Sequence, residues 1–559
     1  MSDSAADRTP TSVDAIAEQW VATLVSLSPD AAIYIGAEGR LDEYQDFSPA
    51  GRALYEKAAH DTLAQLAAAT PVDDTDRVTI TDLSAELALD LDLAAAGWDQ
   101  RDINVIQSPA QGIREIFDLM PTATESDWGI IARKLGNVAG ALEGYTETLR
   151  EGIMAGNTPA RRQVLEVLEQ ARRNATADGF FPEFAAGAVI IDGELPASLR
   201  ADLGRNATAA SDAYGAFATF LESELAPAAR EHDAVGRDLY GLMSRRFLGA
   251  TIDLDETYEW GIEELARMVE EQTRIAGEIA PGATVEEAIA HLDKDSSRKL
   301  HGPDALKAWM QNLSDTAIDA LSRTHFDIPE PVKRLECMIA PTPGAAIYYT
   351  GPTDDFSRPG RMWWSIPEGV NEFDTWRETT TVYHEGVPGH HLQIGQAVYN
   401  RAQLNSWRRL LAGTSGHAEG WALYAERLME ELGYLDDPAD RLGMLDGQRM
   451  RAARVVLDIG VHLGKIHPET AAVWTSDDAF RFLRKNVNMN DSFVTFEVNR
   501  YLGWPGQAPS YKVGQRIWEQ IRDAYKAKEG TAFSNKVFHK NALDLGGVGL
   551  DTLRSALLG

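Results

Sequence analysis

Three features of this 559-residue chain predict a mainly α, bilobal fold with a small β-hairpin or short sheet. Segments with helical apolar spacing fill the chain from about 13 to 322, and the same spacing resumes at Asp374 and continues to the end. Only one stretch between them has strand character. Helical chains of this length commonly bury themselves in one bilobal body. The expected division is a scaffold lobe over 1–335 and a second lobe over 336–559.

In the first half, apolar residues recur at the spacing of one helix face over 54–66, 130–149, 165–172 and 258–279. Ser and Asp residues precede several of these runs as N-caps, and Pro71, Pro159 and Pro281-Gly282 separate them. The pattern changes at Pro341-Thr342-Pro343-Gly344. Beyond it, Ala346-Ile347-Tyr348-Tyr349 and Met362-Trp363-Trp364-Ser365 flank a Gly/Pro/Asp-rich turn region and read as a hairpin. Its edge either pairs with an extended peptide or covers one end of the core. Helices follow near 379–400, 415–433, 439–465, 511–527 and 549–558, with a loop at Pro505-Gly506-Gln507-Ala508-Pro509.

Composition removes whole classes of function. With 85 acidic against 53 basic residues and a net charge of -32, the surface repels phosphate backbones and anionic headgroups. Neither nucleic acid nor membrane is expected as a partner. The N-terminus, MSDSAADRTP, lacks a basic region followed by an apolar one, and no apolar run is long enough to span a bilayer, so a cytoplasmic protein is expected. Cys337 is the only cysteine. Any metal must therefore be held by histidine and carboxylate.

Such residues cluster in Tyr383-His384-Glu385-Gly386-Val387-Pro388-Gly389-His390-His391. In HExxH the second histidine follows one helical turn after the first and reaches the same ion; here that position is Pro388. On an ideal helix His390 would lie about 120° round and about 9 Å along from His384, and His391 about 20° round and about 10.5 Å along. Neither placement suits zinc–nitrogen bonds of about 2.0–2.1 Å. Pro388 cannot donate to the His384 carbonyl, and Gly389 lets the chain loop outward. A bulge there could return His390 to roughly the place of the usual second ligand and turn His391 toward substrate or behind the ligands, with His391 left open as the alternative ligand. Glu385 is placed as a general base. The third ligand is expected from Gly416-His417-Ala418-Glu419-Gly420-Trp421-Ala422-Leu423-Tyr424-Ala425-Glu426, where Glu419 and Glu426 share a helix face. Glu419 would bind the ion and Glu426 would orient a histidine.

His384 to Gln393, followed by Glu419 to Glu426, resembles the bacterial domain-of-unknown-function family 885, whose members look similar to carboxypeptidase Taq and the wider helical gluzincin metallopeptidases. Thimet-type oligopeptidases and carboxypeptidase Taq relatives carry HE, one residue, then GH; dipeptidyl peptidase three carries two residues there. This chain carries three, Gly386, Val387 and Pro388, before Gly389-His390. The resemblance favours His390 over His391 and implies a zinc-dependent peptidase, a carboxypeptidase or oligopeptidase, holding one zinc ion and acting on peptides in a cleft. It implies that the second lobe is the catalytic one. It also points to a later polar segment, in which Tyr511 would stabilise the oxyanion and Arg500, Tyr501, Gln507 and Lys512 would contact substrate. Arg500 or Lys512 would pair with a peptide carboxylate; His462 and His539 are weaker candidates. Two other readings stay open: a metal-free peptide-binding protein on the same scaffold, and a metal-dependent amidase with a non-peptide substrate.

Overall fold

The computed structural model describes residues 8–340 and 347–559. It is predominantly helical with two small sheets. Each first-half run lies within a helix: Pro49–Ala68, Glu125–Ala155, Arg161–Asn174 and Leu254–Ile279. In the second half the helices that matter for the site are Thr375–Glu385, His390–Tyr399, Ser415–Glu431, Pro438–Leu463, Asp491–Gly503 and Ser510–Glu529. Among the described residues, no helix is long and apolar enough to cross a membrane.

Two apolar cores dominate the described residues. One joins side chains from Ile103 to Ala229. The larger joins Val78 and residues from Tyr240 to Leu557, and contains Trp376, Trp421 and Trp518, all fully buried. Each such ring removes on the order of 150–250 Å² from water, about 4–6 kcal/mol of gross burial. The boundary expected at 335/336 falls inside this larger core, between Leu335 and Cys337. The Leu254–Ile279 helix lies along Pro438–Leu463, where a Cβ on Gly261 would come within 2.9 Å of Val455.

The expected hairpin exists as part of a sheet. Strands β1 (Lys299–His301) and β5 (Glu372–Asp374) form an antiparallel pair. Strands β2 (Leu335–Ile339), β3 (Tyr348–Thr350) and β4 (Gly360–Trp364) form a second sheet in the order β2-β4-β3. β3 pairs antiparallel with β4, Tyr349 opposite Met362, and β2 pairs parallel with β4. β4 is therefore central, and β3 lies at an edge of the sheet among the described residues. The pattern change at Pro341 to Gly344, and Ala346, lie outside the described residues.

Candidate metal centre

The helix carrying His384, Thr375–Glu385, contains four threonines and a valine in TWRETTTVYHE, residues that favour helix poorly. Tertiary packing overrides that preference. The helix crosses Pro438–Leu463 so closely that a Cβ on Gly443 would sit 2.1 Å from the Trp376 carbonyl oxygen. It stops at Glu385, and a new helix starts at His390. Across the break the Gly386 amide donates to Val382 (2.9 Å), the Gly389 amide to Tyr383 (3.0 Å) and the His391 amide to Gly386 (3.1 Å). The Trp421 indole donates to the Pro388 and Gly389 carbonyls at 2.9 and 3.2 Å. Oxygens freed by the broken helix thus keep partners.

The break brings the expected ligands together. His384 Nε2 lies 3.3 Å and His390 Nε2 3.7 Å from Glu419 Oε2, and one ligand atom from each of the three residues lies within 4.8 Å of the others. The imidazole rings stand almost perpendicular, at 88°. Bonds of about 2.0–2.1 Å in a tetrahedral site set ligand atoms roughly 3.3 Å apart, so the trio fits an ion of zinc's size. Glu419 Oε2 is a buried oxygen without a hydrogen-bond partner among the described residues, as expected of a lone pair kept for a cation.

Glu426 orients the first histidine. His384 Nδ1–H donates to Glu426 Oε1 at 2.8 Å, which turns Nε2 toward Glu419. Glu426 Oε2 accepts from Gln448 Nε2 (3.1 Å), Gln448 Oε1 accepts from Lys512 Nζ (2.6 Å), and Lys512 pairs with Glu264 (2.9 Å). Burial opposes a charge on His384, but Glu419 and Glu426 outweigh it and raise its pKa to about 10. Burial likewise opposes the charges on Glu419 and Glu426, yet their histidine partners hold both carboxyls below the usual range, Glu419 well below.

A pH dependence follows for metal-stripped protein. The raised His384 contributes stability in full below its ordinary 6.5 and loses it as pH climbs through about 10. In denaturant melts with chelator, wild type should exceed a His384→Gln variant at pH 6 by more than at pH 10. An advantage independent of pH would show that His384 carries no such proton.

His391, the alternative ligand, lies outside the cluster of His384, His390 and Glu419. Its Nε2–H donates to the Val332 carbonyl (2.7 Å) and its Nδ1 accepts from the Tyr349 hydroxyl (2.9 Å), so both ring nitrogens are taken. Burial lowers its pKa to about 4 against the pull of that carbonyl. Gly360 leaves room for the tyrosine contact, since a Cβ there would sit 2.1 Å from Tyr349 Oη and 2.6 Å from His391 Nδ1. His391 thereby ties the second ligand helix to strand β3.

Glu385 is 7% exposed and forms no hydrogen bond or ion pair with any described side chain. Tyr511 arrives through a backbone crossing: a Cβ on Gly420 would meet Gly514 at 2.4 Å, and one on Gly514 would meet the Gly416 carbonyl oxygen at 2.4 Å. Glycine at all three positions lets Ser510–Glu529 press against Ser415–Glu431. Burial first, then the charge of Glu419, raises the Tyr511 pKa, which keeps the phenol protonated.

The other expected contacts have structural duties. Lys512 is 1% exposed, and its three protons face Gln448, Gln515 and Glu264; it supports the site from behind and is closed to substrate. Tyr501 is fully buried, donating to Glu497 and accepting from Arg454 Nε at 2.6 Å, so it too is withdrawn from substrate. Arg500 binds Glu497 (2.9 Å) and Gln507 (2.7 Å), so Gln507 acts by holding Arg500. His462 donates to the Tyr501 carbonyl at 3.0 Å, and His539 lies 2.8 Å from the Tyr424 hydroxyl, both inside the core. The expectation missed Gln448, Arg451 and Arg454 on Pro438–Leu463. Their i, i+3, i+6 spacing on a helix otherwise lined with buried apolar residues was the available signal.

Residues 29–557 match the family described as "Bacterial protein of unknown function (DUF885)". The chain belongs to this DUF885 family. No curated protein matches it. A solved protein from Colwellia psychrerythraea, described as a "putative lipoprotein", superposes with a TM-score of 0.82 at 21% identity, covering 98% of both chains. A similarly described one from Shewanella oneidensis, of unknown function, gives 0.76 at 19% identity, covering 98% of this chain and 100% of that one. These likenesses show a shared fold. A carboxypeptidase from Pyrococcus furiosus covers 90% of this chain and 94% of its own at 12% identity, but its TM-score of 0.33 carries no argument.

Proposed function

We propose that this DUF885 protein is a metal-dependent peptidase of the helical gluzincin type, with one zinc ion held by His384, His390 and Glu419. The observation that carries the reading is the meeting of these three ligand atoms within 4.8 Å beside an uncommitted Glu385. A zinc ion in that place supplies Lewis-acid activation of water and of the scissile carbonyl. Glu385 takes the proton from the attacking water and passes it to the leaving amine as the C–N bond breaks. The Tyr511 hydroxyl donates to the oxygen that gains charge when the carbonyl is attacked. The edge strand β3, linked to the site through Tyr349 and His391, suits an extended peptide backbone.

One observation favours the metal-free peptide-binding alternative: a proton on His384 between two carboxylates balances part of the cluster's charge by itself. Metal content separates the two. Mass spectrometry of purified protein should find about one zinc per chain, in keeping with a three-ligand site, and His384→Ala and Glu419→Ala should each remove it. Unchanged zinc in either variant would move that ligand elsewhere. No zinc in wild type after reconstitution would favour the binding protein.

A further inference from the structure

Three arginines face Tyr511. The guanidinium carbons of Arg454 and Arg451 lie 5.1 and 5.9 Å from its ring centre, and Arg500 sits on the neighbouring helix. Two of the three are committed. Arg454 donates to Tyr501 and to Glu497, each at 2.6 Å, and Arg500 donates to Glu497 and Gln507. Arg451 is half-buried and makes no hydrogen bond or ion pair with any described residue. Its Nε is buried without a partner.

That is a costly place for a cation in a chain with a net charge of -32, where acidic partners are plentiful. Arg451 follows Gln448 by one turn on the same helix face, and Gln448 touches Glu426. Its guanidinium lies back over Gly447, whose Cβ would come within 2.7 Å of Nη1, and its charge acts on both Glu426 and Tyr511. Glu426, the carboxylate of the metal centre on which its charge acts, is already occupied by His384 and Gln448.

We propose that Arg451 anchors the free C-terminal carboxylate of the substrate, which makes the site exo-acting from the peptide's C-terminus. The planar fork of Nε and one Nη accepts a carboxylate in two parallel hydrogen bonds, and the carboxylate supplies the partner that the protein withholds. This rests on the peptidase reading for its cleavage step, while the anchoring itself is a binding property.

The test measures binding by calorimetry to the full-length, zinc-supplemented Glu385→Gln protein, so that no probe is consumed. The probes are acetyl-Ala-Ala-Ala, its C-terminal amide, and acetyl-Ala-Glu-Ala amide, which carries only a side-chain carboxylate. The acid should bind about tenfold or more tighter than either amide. Arg451→Ala in the same background should erase that preference while keeping amide affinity, which also reports an intact fold; Arg451→Lys should restore part of it. Equal binding of acid and amides, a preference that survives Arg451→Ala, or no binding of any probe would overturn the anchor. Equally tight binding of the Glu-containing amide would replace it with a side-chain acid site. Turnover by wild type separates the two claims. A binding preference without cleavage leaves the anchor and removes the peptidase, and equal cleavage of acid and amide leaves the peptidase and removes the anchor.

Discussion

Replacing Glu385 by Gln should lower peptide turnover by about 10²- to 10⁴-fold and leave zinc content at the wild-type level. The substitution keeps the shape of the side chain and removes its ability to take a proton. Because Glu385 forms no hydrogen bond or ion pair with a described side chain and lies outside the three-ligand cluster, the change breaks no contact that holds the fold or the ion. Turnover assays on a peptide substrate, paired with metal analysis of the same preparation, give both numbers. Full activity in the variant would take the general-base role away from Glu385, and loss of zinc would make it a ligand instead.

The second large effect is expected at Gly389. A Cβ there would lie 1.9 Å from the His384 carbonyl oxygen and 2.5 Å from that of Tyr383. These are main-chain atoms of the first ligand's own turn, so no side chain can step aside to make room. Gly389→Ala should therefore push the His390–Tyr399 helix away from His384, remove most of the bound zinc and cost about 3 kcal/mol of stability. The milder comparison is Gly386→Ala, whose Cβ would meet the Val382 carbonyl oxygen at 2.6 Å. Metal analysis and denaturant midpoints for the two variants provide the check. Normal zinc and stability in Gly389→Ala would mean that the turn relaxes freely and that the close approach is not required.

Much of the fold was legible because helical periodicity is a local property. The runs over 54–66 and 258–279 need only their own residues to declare a face, and each lies inside a helix. Strand β2 was missed because its five residues, Leu335 to Ile339, are too few to show alternation and pair parallel with a strand beyond the turn region. The meeting of His384, His390 and Glu419 was legible for a different reason. Proline at 388 and glycine at 389 state in covalent terms that the helix cannot continue, which lets a later histidine return beside His384. Lys512 and Tyr501 were misread because their roles depend on distant partners, Glu264 and Arg454, that no local pattern announces. Arg451 stayed hidden for the opposite reason, since what marks it is the lack of a partner.

The line of contacts from His384 through Glu426, Gln448 and Lys512 to Glu264 has a consequence for synthesis on the ribosome. Its members sit on helices that begin with Leu254–Ile279 and end with Ser510–Glu529. A nascent chain that has emerged only as far as Glu431 already carries His384, His390 and Glu419, yet lacks Gln448 and Lys512 behind Glu426. Its imidazoles are free to take up either tautomer and many orientations. If the site holds zinc as proposed, its stable capture would be the last event of assembly, and metal content would count finished molecules.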